Sequence, residues 1–359
     1  MSLTKDFATE LIALSAKGLD HEARQAATWL VLDGLAVAAL GADQTGPRLL
    51  AEMVSEAQAR SAATLIGHAA GASAADAARV NGAAMHVLDY EPMWNPANHA
   101  VSTTLPALLA LAESGHGGEQ TAADRDEPTG SRLLTALALG IEAQARLRLS
   151  SGQFEPGRLV FHPPGAVGPL GSAVACGILI GLDAEHLTHA IGIAASRAGA
   201  ILANVGSMTK SLHCGQAAAS GLESALLAAK GFTADPDALS GPRGYGHAFF
   251  GTGFDPEELL RPRERLHIVS PGPAFKLYPS QYGTHFVIAA ALGARAKMAG
   301  DARIRQVRIV SPLMPYVDRP SPATGLAGKF SFQYTAAVAL LDGEVRVESF
   351  TDERRFAPD

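Results

Sequence analysis

The chain has 359 residues, of which 47% are hydrophobic and 18% charged, enough apolar material for a large core and unlike a disordered chain. Its length exceeds the ~100–200 residues of a typical domain, so two domains or one unusually large one are expected. Lys and Arg total 29 against 35 Asp and Glu, a net charge of −6, which leaves no global basic field to attract nucleic acid.

In chain order, the N-terminal stretch carries Asp6 and Glu10 where a signal peptide needs an apolar core, so it reads as an amphipathic helix. From Glu22 to Leu40, Ala23, Ala26, Ala27, Leu30, Val31 and Leu35 share one helical face, with Asp20 placed to cap its start. Comparable patterns predict helices over Ala74–Leu88, Thr104–Glu113, Arg132–Arg148, Gly171–Leu182, Ala184–Ala203 (capped by Asp183) and Gly215–Lys230. They share no fixed repeat period, which disfavours a solenoid. The charged, Gly-rich stretch Ser114–Ser131 reads as a surface loop. The longest run free of charged residues, Leu159–Leu182, is broken by Pro163, Pro164 and Pro169, so a buried helix is expected there and not a membrane span.

A run of prolines and glycines over Ser240–Pro273 precedes a change of texture. The expectation is a helical domain over 1–270 and a mixed α/β domain over 271–359, with strands at Arg303–Val310 and Glu344–Phe350 around a helix at Phe330–Leu341. The two cysteines, Cys176 and Cys214, show no CxxC spacing, which gives neither a disulfide framework nor a zinc site and fits a reducing cytoplasm.

No P-loop, GxGxxG, HExxH or GxSxG is present. What stands out instead is four polar interruptions between apolar helices, where burying charge needs a compensating reason. The first, His86 to His99, sets Asp89, Trp94 and His99 on a turn-rich segment suited to placing a carboxylate near an imidazole, although a capped loop accounts for the same residues equally well. The second is His162, held by Pro163-Pro164 and entering a helix; a lone histidine in such a place is more often structural. In the third, Lys210 near a helix start suits an anionic ligand, with a snorkelling surface lysine as the alternative, while His213-Cys214 makes a poor nucleophilic pair because sequence neighbours point apart. The fourth, Lys276, Tyr278, Tyr282 and His285, lies at the expected boundary and reads as either a cleft wall or a solvated linker.

Taken in order, the segments LDYEPMWNPANHAVSTTLPALLALAE, FHPPGAVGPLGSAVACGILIGLD, KSLHCGQAAASGLESALLAAKGF, KLYPSQYGTH and KFSFQYTAAVALLDGE resemble the MmgE/PrpD family. That family includes 2-methylcitrate dehydratase, cis-aconitate decarboxylase and iminodisuccinate epimerase. The resemblance implies a mainly α protein with a large all-helical domain and a smaller α/β lid, a homodimer, and an interdomain cleft acting on small di- or tricarboxylates without metal or organic cofactor. Position by position it implies catalytic roles for Asp89, His99, His162, Lys210 and His285, and substrate contacts for Met93, Lys276, Tyr278 and Tyr334. Many relatives read Asp-Asp-Thr-Trp or similar where this chain has Glu91-Pro92-Met93-Trp94, so substrate contacts there are expected to differ. A chain ending at Asp359 is also short for the family, and a shortened lid is expected.

The chemistry this implies is proton transfer at a carbon next to a carboxylate. Lys210, with His99 or His162 as a cation, would hold carboxylates and stabilise developing charge; the other histidine would move the proton, and Asp89 would orient an imidazole. Loss of water or epimerisation is preferred to loss of carbon dioxide, with a non-catalytic carboxylate-binding relative as the alternative from another class.

Overall fold

The computed structural model describes residues 2–56, 63–115, 129–155, 157, 159–299 and 303–358. The Ser114–Ser131 loop expectation falls mostly on residues outside these. Among the described residues nine helices build the body: α1 Leu3–Lys17, α2 His21–Gly41, α3 Thr45–Glu56, α4 Ala74–Val87, α5 Ala100–Glu113, α6 Thr129–Ser150, α7 Pro163–Leu179, α8 Ala184–Ala195 and α9 Thr209–Ala229. Between α3 and α4 a short hairpin pairs Ala63–Thr64 with Gly71–Ala72. Short helices α10 Tyr245–Phe250 and α11 Glu257–Leu260 follow, then α12 Tyr282–Arg295, α13 Gly325–Gly328, α14 Phe332–Asp342 and α15 Asp352–Arg355.

Helix starts obey capping chemistry. Asp20 Oδ1 accepts the Ala23 amide at 2.8 Å and Asp183 Oδ1 the His186 amide at 2.9 Å, each satisfying a first-turn N–H that has no partner within its helix. Helix α7 starts eight residues before the apolar pattern predicts, because Pro163 and Pro164 occupy its first two positions, where a missing N–H costs nothing. All of its residues are buried, and it packs against α5, α6, α8 and α9. Small residues set the spacing. A Cβ at Gly215 of α9 would lie 2.0 Å from the Arg79 carbonyl oxygen of α4, so these two helices touch backbone to backbone. Helix α8 stops short of the predicted Ala203, since the chain turns at Ala200 (φ +78°), whose carbonyl accepts the His162 amide at 2.8 Å.

One apolar core runs from Phe7 to Ile268; a second, around Ile288, Ala339, Val345 and Phe350, is built by α12, α14 and the turn after α14. The Pro/Gly-rich stretch is tied to the body by a buried network. Glu142 accepts the His267 amide at 2.7 Å and pairs with Arg146, which also reaches Glu10 at 2.7 Å.

The molecule is mainly α. The two strands expected after residue 270 are absent among the described residues. Residues 303–310 run without regular structure, with Ile304, Val307 and Val310 exposed, since a period-2 pattern becomes a strand only when a neighbour supplies the hydrogen-bond ladder. Residues Val347–Phe350 close into a 3-10 turn, with the Arg346 amide donating to Ser349 Oγ at 3.0 Å. No described helix is by itself long and apolar enough to cross a membrane.

Candidate active site

Four segments distant in sequence meet at one end of the bundle: the C-terminus of α4 and the N-termini of α5, α7 and α9. His99 and His162 are the N-cap residues of α5 and α7, and Lys210 is the second residue of α9. Three helix N-termini therefore bring their free N–H groups and positive dipole ends to one place, which favours an anion.

Asp89 is the centre of the arrangement. It follows α4 in the left-handed region, φ +50°, a conformation that aspartate tolerates better than most side chains. Its Oδ2 accepts from Lys210 Nζ at 3.0 Å, and its Oδ1 accepts from Lys276 Nζ. All three groups are buried. Burial alone would raise the Asp89 pKa, but Lys210 and Lys276 outweigh it and hold the carboxyl well below the usual range.

A second chain of contacts runs behind it. Lys210 Nζ also lies 2.8 Å from His86 Nε2, and His86 Nδ1 meets Glu91 Oε1. That same oxygen accepts from Ser102 Oγ at 3.0 Å and has His99 Nδ1 at 3.2 Å. Because the ammonium occupies Nε2, the network assigns the His86 proton to Nδ1, leaving the ring neutral. Burial first, then Lys210, lowers the His86 pKa to about 4 despite the opposing Glu91 charge. Glu91 stays ionised, since His86 and His99 more than offset the effect of its burial. His162 Nδ1 lies 3.2 Å from His213 Nδ1, and burial together with Lys210 pushes the His162 pKa well down. The sequence left the cationic role to either His99 or His162; this lowered pKa favours a neutral His162 ring.

Asp89, Met93, His99, His162, Lys210 and Lys276 line a cavity of about 360 Å³ together with Tyr282, Phe286, Met314, Tyr316, Arg319 and Phe330. Met93 brings an apolar surface to the cavity and pairs through its backbone with Ala274. His285, on α12, does not line the cavity; its ring packs against those of Tyr278 and Tyr282, with centroids 5.2 and 5.3 Å away. Its Nε2 is buried with no hydrogen-bond partner among the described residues, and burial followed by Lys276 lowers its pKa to about 4. Tyr278 does not line the cavity either.

Tyr334 is not brought to the cavity either. Its hydroxyl donates to the Ser349 carbonyl at 2.6 Å and its ring packs on Phe350 in the second core. Sequence reasoning assigned no role to His86, Glu91, His213 or Lys329. His86 and Glu91 stand inside the quoted motif, but only the helix geometry shows that both point inward. Lys329 opens the KFSFQY segment and is 2% exposed, with Nζ 3.3 Å from the Val87 carbonyl oxygen. Its burial pushes its pKa down to about 7 against the pull of Asp89.

His86, Glu91 and His99 offer three ligand atoms within 4.8 Å of one another. These atoms already contact one another, and the Lys210 ammonium sits on the far nitrogen of His86, so a divalent cation there would meet a like charge. The geometry favours a proton-carrying network.

Comparison with known proteins agrees with the order of these motifs. The MmgE/PrpD N-terminal domain matches residues 5–257 and the MmgE/PrpD C-terminal domain residues 278–359. The chain is 35% identical over 286 residues to cis-aconitate decarboxylase of Mus musculus, covering 77% of this chain and 57% of the mouse protein. To the Homo sapiens cis-aconitate decarboxylase it is 33% identical over 357 residues, covering 97% of this chain and 72% of the human protein. An Aspergillus terreus cis-aconitate decarboxylase is 24% identical over 362 residues, with 94% and 72% covered. The chain thus spans little more than half the length of the mouse relative and under three quarters of the other two. With both domain models matched in order along a mainly helical chain, this protein belongs to the MmgE/PrpD family.

Proposed function

We propose that this chain is a lyase that removes carbon dioxide from a small unsaturated tricarboxylate of the cis-aconitate type, using its own side chains alone. The observation that carries the reading is the pair of lysines converging on Asp89 beside neutral His162, in a cavity near the lower end of the ~300–1,000 Å³ typical of small-molecule sites. The relatives' activity favours decarboxylation over the dehydration or epimerisation preferred from the sequence.

The electron bookkeeping sets the roles. The C–C bond from the methylene carbon to its carboxylate breaks and releases carbon dioxide. The bonding pair forms a new alkene with the central carbon, and the former alkene pair moves onto the far carbon, next to a carboxylate. An enediolate develops there, and a proton then adds at that carbon. Lys210 and Lys276 stabilise the enediolate charge. His162 or His99 delivers the proton: burial holds the His162 imidazole neutral, and the substrate's negative charge raises its affinity for a proton. Met93 gives the departing carboxylate an apolar surface, which favours its loss as neutral carbon dioxide.

The proposal extends to a homodimer, supported by a run of exposed apolar side chains on α2 and α3, including Trp29, Leu32, Leu40, Leu49 and Met53, and to residues 271–359 acting as a lid over the cavity. Proton NMR of purified protein with cis-aconitate in deuterium oxide, together with carbon dioxide detection, tests the reaction. A dicarboxylate product bearing one deuterium at the protonated carbon is expected. Absence of both product and carbon dioxide from folded protein overturns the reading; loss of water from 2-methylcitrate would replace it with the hydro-lyase.

A further inference from the structure

Among the described residues three basic side chains line the cavity: Lys210, Lys276 and Arg319. Two are already engaged, since both lysines donate to Asp89, one to each carboxylate oxygen. Arg319 differs. Among the described residues its guanidinium makes no hydrogen bond or ion pair, and it rests on the Phe330 ring with Cζ 5.8 Å from the centroid. Lys210 Nζ lies 5.3 Å from the centroid of the same ring, which places the guanidinium one aromatic ring away from the Lys210–Asp89 pair. The adjacent acid, Asp318, is occupied by Gln333 Nε2 at 2.6 Å. The segment is held by its backbone, with Ser331 Oγ donating to the Arg319 carbonyl at 2.6 Å and the Arg319 amide to the Val317 carbonyl at 3.0 Å.

A half-buried guanidinium facing a cavity without an acid partner is a vacant fork for a carboxylate, which arginine binds through two parallel N–H donors. Charge counting points the same way. Asp89 offsets one of the three cations that line the cavity and leaves two positive charges over; the two lysines share Asp89, whereas Arg319 has no acid partner among the described residues. We infer that Arg319 binds the central carboxylate of the substrate, the one that neither leaves nor takes up the developing charge, and thereby selects tricarboxylates over dicarboxylates. This assignment rests on the proposed decarboxylase reading and names a specificity residue for it.

The test compares two ligands by titration calorimetry on the full chain. One is cis-aconitate. The other is glutaconate in the matching geometric isomer, which keeps the outer carboxylates and lacks the central one. Wild type is expected to bind cis-aconitate more tightly than glutaconate. In Arg319→Met, cis-aconitate binding should weaken about 10- to 100-fold, as for loss of a charged hydrogen-bonded contact, while glutaconate changes less than about threefold. Arg319→Lys should recover part of the loss, since it restores the charge without the fork. Unliganded melting temperatures equal to wild type establish that both variants fold. If Arg319→Met keeps the discrimination, or weakens both ligands equally while wild type still turns over cis-aconitate, the Arg319 assignment alone is overturned. If wild type binds neither acid, the carboxylate reading fails and Arg319 falls with it.

Discussion

Lys210 Nζ and His86 Nε2 lie 2.8 Å apart, and this contact decides which nitrogen of the imidazole carries its proton. The lysine donates, so His86 can only accept at Nε2 and must hold its hydrogen at Nδ1, aimed at Glu91. A charge change at Lys210 is therefore felt at Glu91 and, through the oxygen they share, at His99.

Glu91→Gln should show this relay. The amide keeps the shape but removes the anion that His86 and His99 share. We expect kcat to fall about 10- to 100-fold, as for loss of an outer partner that orients a working histidine, with a smaller change in KM. Steady-state kinetics equal to wild type would separate Glu91 from the chemistry.

The two sides of the Asp89 cluster should respond unequally. Lys210→Met leaves Asp89 paired with Lys276, so the fold should survive while turnover drops by about 100-fold or more. Asp89→Asn leaves two buried ammonium groups facing each other without a counter-charge, and stability should fall by about 3–5 kcal/mol. Urea denaturation of the two variants, read beside activity, checks the asymmetry.

Stability should decline in acid before the carboxylates titrate. The His86 and His285 pKa values are lowered in the folded protein to about 4, from 6.5. Between those values the unfolded chain binds more protons, so the stability gained by keeping these rings neutral is complete above about pH 6.5 and is lost as pH falls towards 4. The depressed carboxyls of Asp89 and Glu91 act in the same direction at still lower pH. A melting temperature that stays flat from pH 7 to pH 4.5 would contradict this.

Substrate binding should take up a proton. Burial above all holds His162 neutral, and a trianion beside it raises its affinity for a proton. Calorimetric binding enthalpies measured near pH 7 in buffers of different ionisation enthalpy should differ in proportion to that uptake; identical enthalpies would mean that the proton comes from elsewhere.

Tyr334→Phe separates a structural tyrosine from a substrate contact. It removes one hydrogen bond to Ser349, so stability should drop by about 1 kcal/mol with kcat and KM unchanged. A large kinetic effect would mean that the ring reaches the cavity during turnover.

The helical body was legible because its signals are local: Asp20 and Asp183 before apolar runs, and a 3.6-residue period in α2, α4 and α9. The site was legible as four polar interruptions, since charged residues between apolar helices demand partners. Their pairing was not, because nothing in the spacing shows that Asp89 finds its lysines 121 and 187 residues away. Glu91 was read as a departure from the family pattern, yet it became the anion between two histidines once α4 and α5 fixed both rings. The strands assigned to 303–310 and 344–350 failed for a different reason: alternation describes a segment, whereas a strand requires a neighbour.

The Asp89–Lys276 pair has a mechanical meaning as well. Together with the Met93–Ala274 backbone bridge and the Trp94 indole N–H donating to the His267 carbonyl at 3.2 Å, it fastens the chain up to Lys276 to the helical body at three successive points. If the residues after 271 act as the proposed lid, a cleft that opened by swinging α12, α14 and the segments between them would pivot beyond this clasp. Lys276 would then stay behind as a fixed post, keeping its contact with Asp89 throughout.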